Sequence, residues 1–149
     1  MDKINIDGIV LTDLKIINHP KGDIYHGMKD NDIGYEGFGE AYFSTIKKNE
    51  IKGWKKHLEM TMNIIVPVGA ITFVLFDDRD NSNTANNFFS VKLSPNNYSR
   101  LTVAPGIWHA FKGHNHNLNL ILDISDIKHQ QEEIVRVNID DIPFEWESL

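Results

Sequence analysis

Apolar residues fall in short runs with a period of two, separated by turn residues, and no three-turn helical stripe is present. Ile9 to Ile17 is mostly apolar and closes at His19-Pro20-Lys21-Gly22, a turn. Gly27 to Gly39, with three glycines and several acids, reads as a loop. Phe38 to Ile46 predicts a strand with Phe38, Glu40, Tyr42, Ser44 and Ile46 on one face. Lys52 to Glu59 predicts another, which places Lys55 and His57 on a common face. Met60 to Pro67 follows, and Val68-Gly69 breaks it from Ala70 to Phe76, apolar enough to be buried on both sides. Beyond the polar loop Asp77 to Asn87, strands are predicted at Phe88 to Leu93, Arg100 to Val103, Trp108 to Lys112 and Leu118 to Ile124. Ser94 to Asn97, Ala104-Pro105-Gly106 and Gly113 to Asn117 are the turns between them. Leu118, Leu120, Leu122 and Ile124 share one side of the last of these. Val135 to Ile139 is a further strand, and Pro143 to Trp146 a docked tail. About eight to ten short strands at such spacing predict an all-β sandwich, jelly roll or barrel. The chain, residues 1–149, is expected to be a single domain.

Composition narrows the function. Fifteen Lys and Arg against twenty-one Asp and Glu give a net charge of -6, which argues against nucleic acid or an anionic membrane as partner. A local basic pocket for one phosphorylated ligand stays open. With no cysteine, disulfides, thiolate nucleophiles and Cys-ligated zinc are excluded. The longest apolar run, Ile64 to Val68, is too short to span a bilayer, and acids interrupt the first residues. A cytoplasmic protein is the expectation.

Four groups carry candidate chemistry. Lys52-Gly53-Trp54-Lys55-Lys56-His57 is either an edge strand guarded by lysines or a basic wall that meets an anion. Ammonium neighbours would keep His57 neutral at pH 7 and able to accept a proton. Pro105-Gly106-Ile107-Trp108-His109 puts a histidine just after a tight turn, near the mouth of a barrel. Asp123 and Asp126 could orient a histidine or simply begin a loop. Asp77-Asp78-Arg79-Asp80 reads as a solvated turn with an internal ion pair. His57 and His109 supply two metal ligands where a site needs three or four, so no metal is expected. No phosphate loop, nucleophile elbow or His-Glu-x-x-His occurs.

The order of motifs resembles the dTDP-4-dehydrorhamnose 3,5-epimerase family of jelly-roll cupins. Lys52-Gly53-Trp54-Lys55, Val68-Gly69, Asp77-Asp78-Arg79-Asp80-Asn81-Ser82-Asn83-Thr84, Leu93-Ser94-Pro95-Asn96-Asn97 and Pro105-Gly106-Ile107-Trp108-His109-Ala110-Phe111 stand in the family's order over roughly Phe38 to Trp146. The chain also resembles the related dTDP-sugar 3,4-ketoisomerases, whose basic strand carries a His-x-His pair.

The resemblance implies a single-domain cupin jelly roll, a homodimer, and a dTDP-linked 4-keto-6-deoxy sugar as substrate, with no cofactor. It places Lys55 where the epimerases carry their histidine base, Lys52 where an arginine meets the nucleotide phosphates, and His57 at the ketoisomerases' second histidine. His109 matches the epimerases' second histidine, and Asp126 the acid that supports their base. Glu40 and Tyr42 fall on the polar pair before the basic strand, and Arg79 on the family's Asp-x-Arg. The catalytic tyrosine expected after His109 is missing from Lys112 to Leu122. The expected chemistry is proton removal beside the ketone with His57 as first choice of base, Lys55 or His109 behind it, and Tyr42 as acid. Its rivals are a binding cupin that has lost turnover and a metal-dependent cupin oxygenase, whose ligand set is incomplete.

Overall fold

The computed structural model describes residues 3–149. Its strands are β1 (Ile9–Asp13), β2 (Ile16–Ile17), β3 (Ile24–Tyr25), β4 (Glu40–Thr45), β5 (Ile51–His57) and β6 (Met62–Val68), then β7 (Ile71–Asp77), β8 (Phe88–Leu93), β9 (Ser99–Val103), β10 (Ile107–Gly113), β11 (Leu120–Ser125) and β12 (Ile134–Arg136). Two five-stranded antiparallel sheets form, ordered β1-β9-β6-β11-β4 and β12-β5-β10-β7-β8. This is the all-β jelly-roll sandwich that the alternation predicts. Between the sheets lies an apolar core built from alternate residues such as Ile64 and Val66 on β6, Phe73 and Leu75 on β7, and Leu101 and Val103 on β9.

Several boundaries differ from the sequence reading; the last strand, expected over Val135 to Ile139, runs only Ile134–Arg136, and Ile139–Asp141 form a 3₁₀ turn. The Ile9 to Ile17 run splits: Leu14 N–H still bonds Tyr98 O at 3.0 Å, the next position of the β1–β9 register, but Ile16–Ile17 pair with β3 instead. The strand expected from Phe38 starts only at Glu40, and Phe38 is exposed. On β11 the buried phase is Ile121, Asp123 and Ser125, so Leu120, Leu122 and Ile124 form the half-exposed outer face.

One irregularity positions the site. Along the β5–β10 ladder Lys55 pairs with His109 and Lys52 with Phe111, so three steps on β5 match two on β10. The extra residue is a bulge. Without it Lys52 and Lys55 would point to opposite faces, because the side-chain period of a strand is two. Gly53 makes the bulge possible. Its φ is +152°, and a Cβ there would stand 2.3 Å from Ala110 Cβ and 2.9 Å from Ala110 Cα.

A second apolar cluster covers the outer side of the same sheet. Trp54, Val74, Trp108 and Ala110 are buried there beneath the carboxyl-terminal segment, with Phe144, Trp146 and Leu149 packed over them. Trp54 Nε1–H donates to Ile139 O at 3.2 Å, and Lys112 Nζ donates to Trp146 O at 3.1 Å. The docked tail expected at Pro143 to Trp146 is therefore what shields the back of β5.

Candidate active site

A cavity of about 330 Å³ opens between the two sheets. One wall comes from β5 and β10, which contribute Lys52, Lys55 and His109. The facing wall comes from β4 and β11, which contribute Tyr42, Ser44 and Asp123. Met62, Ile64, Phe73, Phe111 and Ile121 form an apolar floor, and Arg136 on β12 stands at the side. Within that facing wall, the Tyr42 hydroxyl donates to Asp123 Oδ2 at 2.9 Å.

Burial sets the protonation states. Lys55 is half-buried, and among the described residues its Nζ makes no hydrogen bond or salt bridge. Desolvation, then the Arg136 guanidinium, lowers its pKa; Asp123 and Glu133 pull the other way. The His109 ring is buried, and desolvation, then Lys55, holds its pKa well below the ordinary imidazole value, so it is neutral. Asp123 goes up to about 6, chiefly by desolvation, against the Tyr42 hydrogen bond and Lys55. Desolvation and the adjacent Asp123 also raise the Tyr42 phenol. Both walls therefore carry buried groups whose pKa values are displaced from their ordinary ones, as in a proton-transfer site.

The family model described as dTDP-4-dehydrorhamnose 3,5-epimerase matches residues 3–149. The chain belongs to this family. Membership makes it an isomerase of the epimerase type. A curated relative, the probable low-salt glycan biosynthesis epimerase Agl13 of Haloferax volcanii, is 24% identical over 148 residues, 95% of each chain. A crystal structure of a dTDP sugar isomerase from Desulfovibrio desulfuricans G20 matches with TM-score 0.94 at 33% identity, covering 100% of this chain and 97% of that one. The 3,5-epimerase RmlC of Legionella pneumophila, solved with dTDP-4-keto-L-rhamnose, is 20% identical with TM-score 0.80 over 91% of this chain and 76% of its own, a likeness of fold.

Of the residues singled out in the sequence, this epimerase-family cavity collects Lys52, Lys55, His109, Tyr42 and Asp123. Four others lie elsewhere. His57 faces inward as expected but sits behind His109, with their rings stacked at 5.9 Å and 8° between planes. Its Nδ1 pairs with Glu133 Oε2, and Glu133 Oε1 accepts the backbone N–H groups of Met60 (2.9 Å) and Glu59 (3.2 Å). Desolvation outweighs Glu133 and lowers the His57 pKa, so a neutral ring donates Nδ1–H to a carboxylate. Asp126 Oδ1 accepts Thr61 N–H at 2.8 Å and supports no histidine. Glu40 accepts the backbone N–H of His129 at 2.5 Å. Arg79 binds Asp77, with Nε to Oδ1 at 2.8 Å, and Ser82 and Thr84 hydroxyls complete the cage around that buried carboxylate. The stretch from Asp77 to Thr84 is thus a loop brace: the expected internal ion pair is present, but Asp77 is buried where the sequence reading has a solvated turn.

Arg136 and Glu133 have no part in the sequence reading of the site, and Asp123, read there as an acid that could orient a histidine or begin a loop, stands in the cavity wall beside Tyr42. For Asp123 a signal existed: a lone acid in the phase opposite Leu120, Leu122 and Ile124 of a central strand faces the interior. Lys56, part of the expected basic wall, points outward, 4.6 Å over the Trp108 ring and 3.3 Å from Asp78 Oδ1. Among the described residues no group of three or more His, Asp or Glu is placed to hold a metal ion, and no helix is long and apolar enough to cross a membrane.

Proposed function

We propose that the protein epimerises a carbon beside the ketone of a dTDP-linked 4-keto-6-deoxy sugar, within deoxysugar and glycan biosynthesis. The observation that carries this reading is the pair of opposed walls, with Lys55 and His109 on one side and Tyr42 and Asp123 on the other. Inversion at carbon needs a base on one face and an acid on the other. Lys55, unpaired and disfavoured as an ammonium, is the base. His109, neutral, is placed to offer a ring N–H to the oxygen where enolate charge develops. Tyr42 faces the opposite side of the sugar. Solved relatives hold dTDP-sugars such as dTDP-quinovose, which supports this ligand class. A homodimer suits the exposed Phe38 and Phe43 beside the edge strand β4.

The decisive measurement is solvent-deuterium uptake into dTDP-4-keto-6-deoxy-D-glucose in D₂O, followed by NMR together with the configuration at C3 and C5. Uptake with inversion is the expected result. A protein that binds dTDP yet exchanges no hydrogen would be a sugar-nucleotide binder instead.

Lys52 and Arg136 are the cations nearest the opening, and the proposal gives them the diphosphate. Lys52 Nζ now donates to Thr45 O at 2.8 Å, a weak hold on an exposed side chain. Lys52→Ala is expected to raise KM about fivefold to tenfold, less at high salt, with kcat nearly unchanged. A fall in kcat at constant KM would move Lys52 from binding to chemistry.

A further inference from the structure

Reprotonation poses a difficulty for Tyr42, and this inference rests on the epimerase reading above. The one hydrogen of the Tyr42 hydroxyl is committed to Asp123 Oδ2. If Tyr42 gave that hydrogen to carbon while Asp123 stayed ionised, a phenolate would stand beside a carboxylate. Burial and Asp123 already push the phenol above its ordinary pKa for this reason.

Asp123 supplies the remedy. It is 5% exposed in the middle of β11, makes no salt bridge among the described residues, and its Oδ1 has no hydrogen-bond partner. An anion so placed is costly, and the carboxyl gains by holding a proton. The groups that face it are Tyr42 and Glu40 from β4, Lys55 from β5 and Ser125 on its own strand, while His109 from β10 lines the same cavity. Its neighbour on β6, Ile64, is apolar.

We infer that Asp123 stores the reprotonating hydrogen and passes it through Tyr42 to the carbon face opposite Lys55. The Lys55 amine takes the C–H proton, and the C–H pair becomes the enolate π bond. With Asp123 protonated, its O–H donates to the Tyr42 oxygen and the Tyr42 hydrogen turns to the sugar; the π pair then bonds that hydrogen, and the freed O–H pair of Tyr42 takes the acid hydrogen of Asp123. Asp123 is left a carboxylate across the cavity from the Lys55 ammonium, and both exchange with water once the product leaves. No oxidant or further reactant enters.

The two faces can be read separately. In D₂O, wild type, Asp123→Asn and Tyr42→Phe are each given dTDP-4-keto-6-deoxy-D-glucose, and deuterium uptake and configuration are followed together by NMR. Lys55 alone can return a solvent deuteron to the face it came from, so both variants are expected to take up deuterium with retention. Inversion should fall at least about a hundredfold in each, the scale of one acid–base group. Wild-type inversion relative to uptake should decline as pH rises through about 6, where Asp123 loses its proton, and residual inversion in Asp123→Asn should be flat. Inversion by Asp123→Asn at the wild-type rate would overturn the inference, and so would loss of uptake in a variant that binds dTDP normally. If Asp123→Asn does not fold, Tyr42→Phe, which lacks only one oxygen, decides by the same readouts. Failure of wild type to take up deuterium would instead sink the epimerase reading itself.

Discussion

Lys55→Met is expected to slow deuterium uptake from D₂O by roughly 10²–10⁴-fold, the usual contribution of one general base. The methionine nearly fills the same volume but cannot accept a proton, so dTDP affinity should change little. Lys55→Arg should fail as well, because a guanidinium is not deprotonated in proteins. The acid side of the pH profile reports the same group. Lys55 is active as the free amine, so uptake rises with pH until it is neutral, and its lowered pKa brings that rise toward neutrality. Burial and Arg136 are the first two causes, so Arg136→Gln should move the limb to higher pH. Wild-type uptake rates in Lys55→Met would pass the role to His109.

Glu133→Ala is expected to cost about 3–5 kcal/mol of stability, because it strips the acceptor from buried donors at about 1–3 kcal/mol each. The substitution leaves His57 Nδ1–H and the Met60 N–H without an acceptor in the interior, while the Glu59 N–H, on an exposed residue, can turn to water. For a chain of this length that is a fall in Tm of roughly 10 °C or more, read by calorimetry. Acid should act in the same direction on wild type. His57 and His109 have folded pKa values below their unfolded ones, so the unfolded chain binds more protons and stability declines as pH drops below about 6.5. Glu133 is also lowered: burial alone would raise it, but the His57 and backbone hydrogen bonds prevail. Its contribution is full above the unfolded value near 4.5 and vanishes as pH falls through the folded one. Asp123, raised, opposes them between about 6 and about 4. In Glu133→Ala the share of acid sensitivity below about pH 4.5 should disappear. A Tm within about 2 °C of wild type would show that the interior repacks around the loss.

The sandwich was legible because period-two alternation and Gly, Pro and Asn turns are local properties of the chain. His109 was legible for a similar reason, since Pro105-Gly106 fixes where β10 begins. What escaped depends on pairing across the fold. Period two alone sets Lys52 and Lys55 on opposite faces, and only the bulge at Gly53 reunites them. His57 read as a reactive base because its ammonium neighbours are close in sequence. The carboxylate that claims it is 76 residues away on a short 3₁₀ turn. Asp126 matched a motif, yet its carboxylate caps the Thr61 backbone. Asp123 lay in plain view in the inward phase of β11, but which phase is inward is settled by β4 and β6 on either side.

Strand β5 has two audiences. Trp54 and Lys56 face the tail side, against Ile139, Trp108 and Asp78, while Lys52, Lys55 and His57 face the interior. The residues that secure the strand to its sheet are thus not the ones that meet a ligand. The Lys55 side chain is turned to the cavity and the Trp54 ring to the tail, although residue 54 also borders the cavity. Such a division separates the group at 55 that meets a ligand from the side chain at 54 that meets the tail. It makes position 55 a place where new catalytic properties can be explored at little risk to folding.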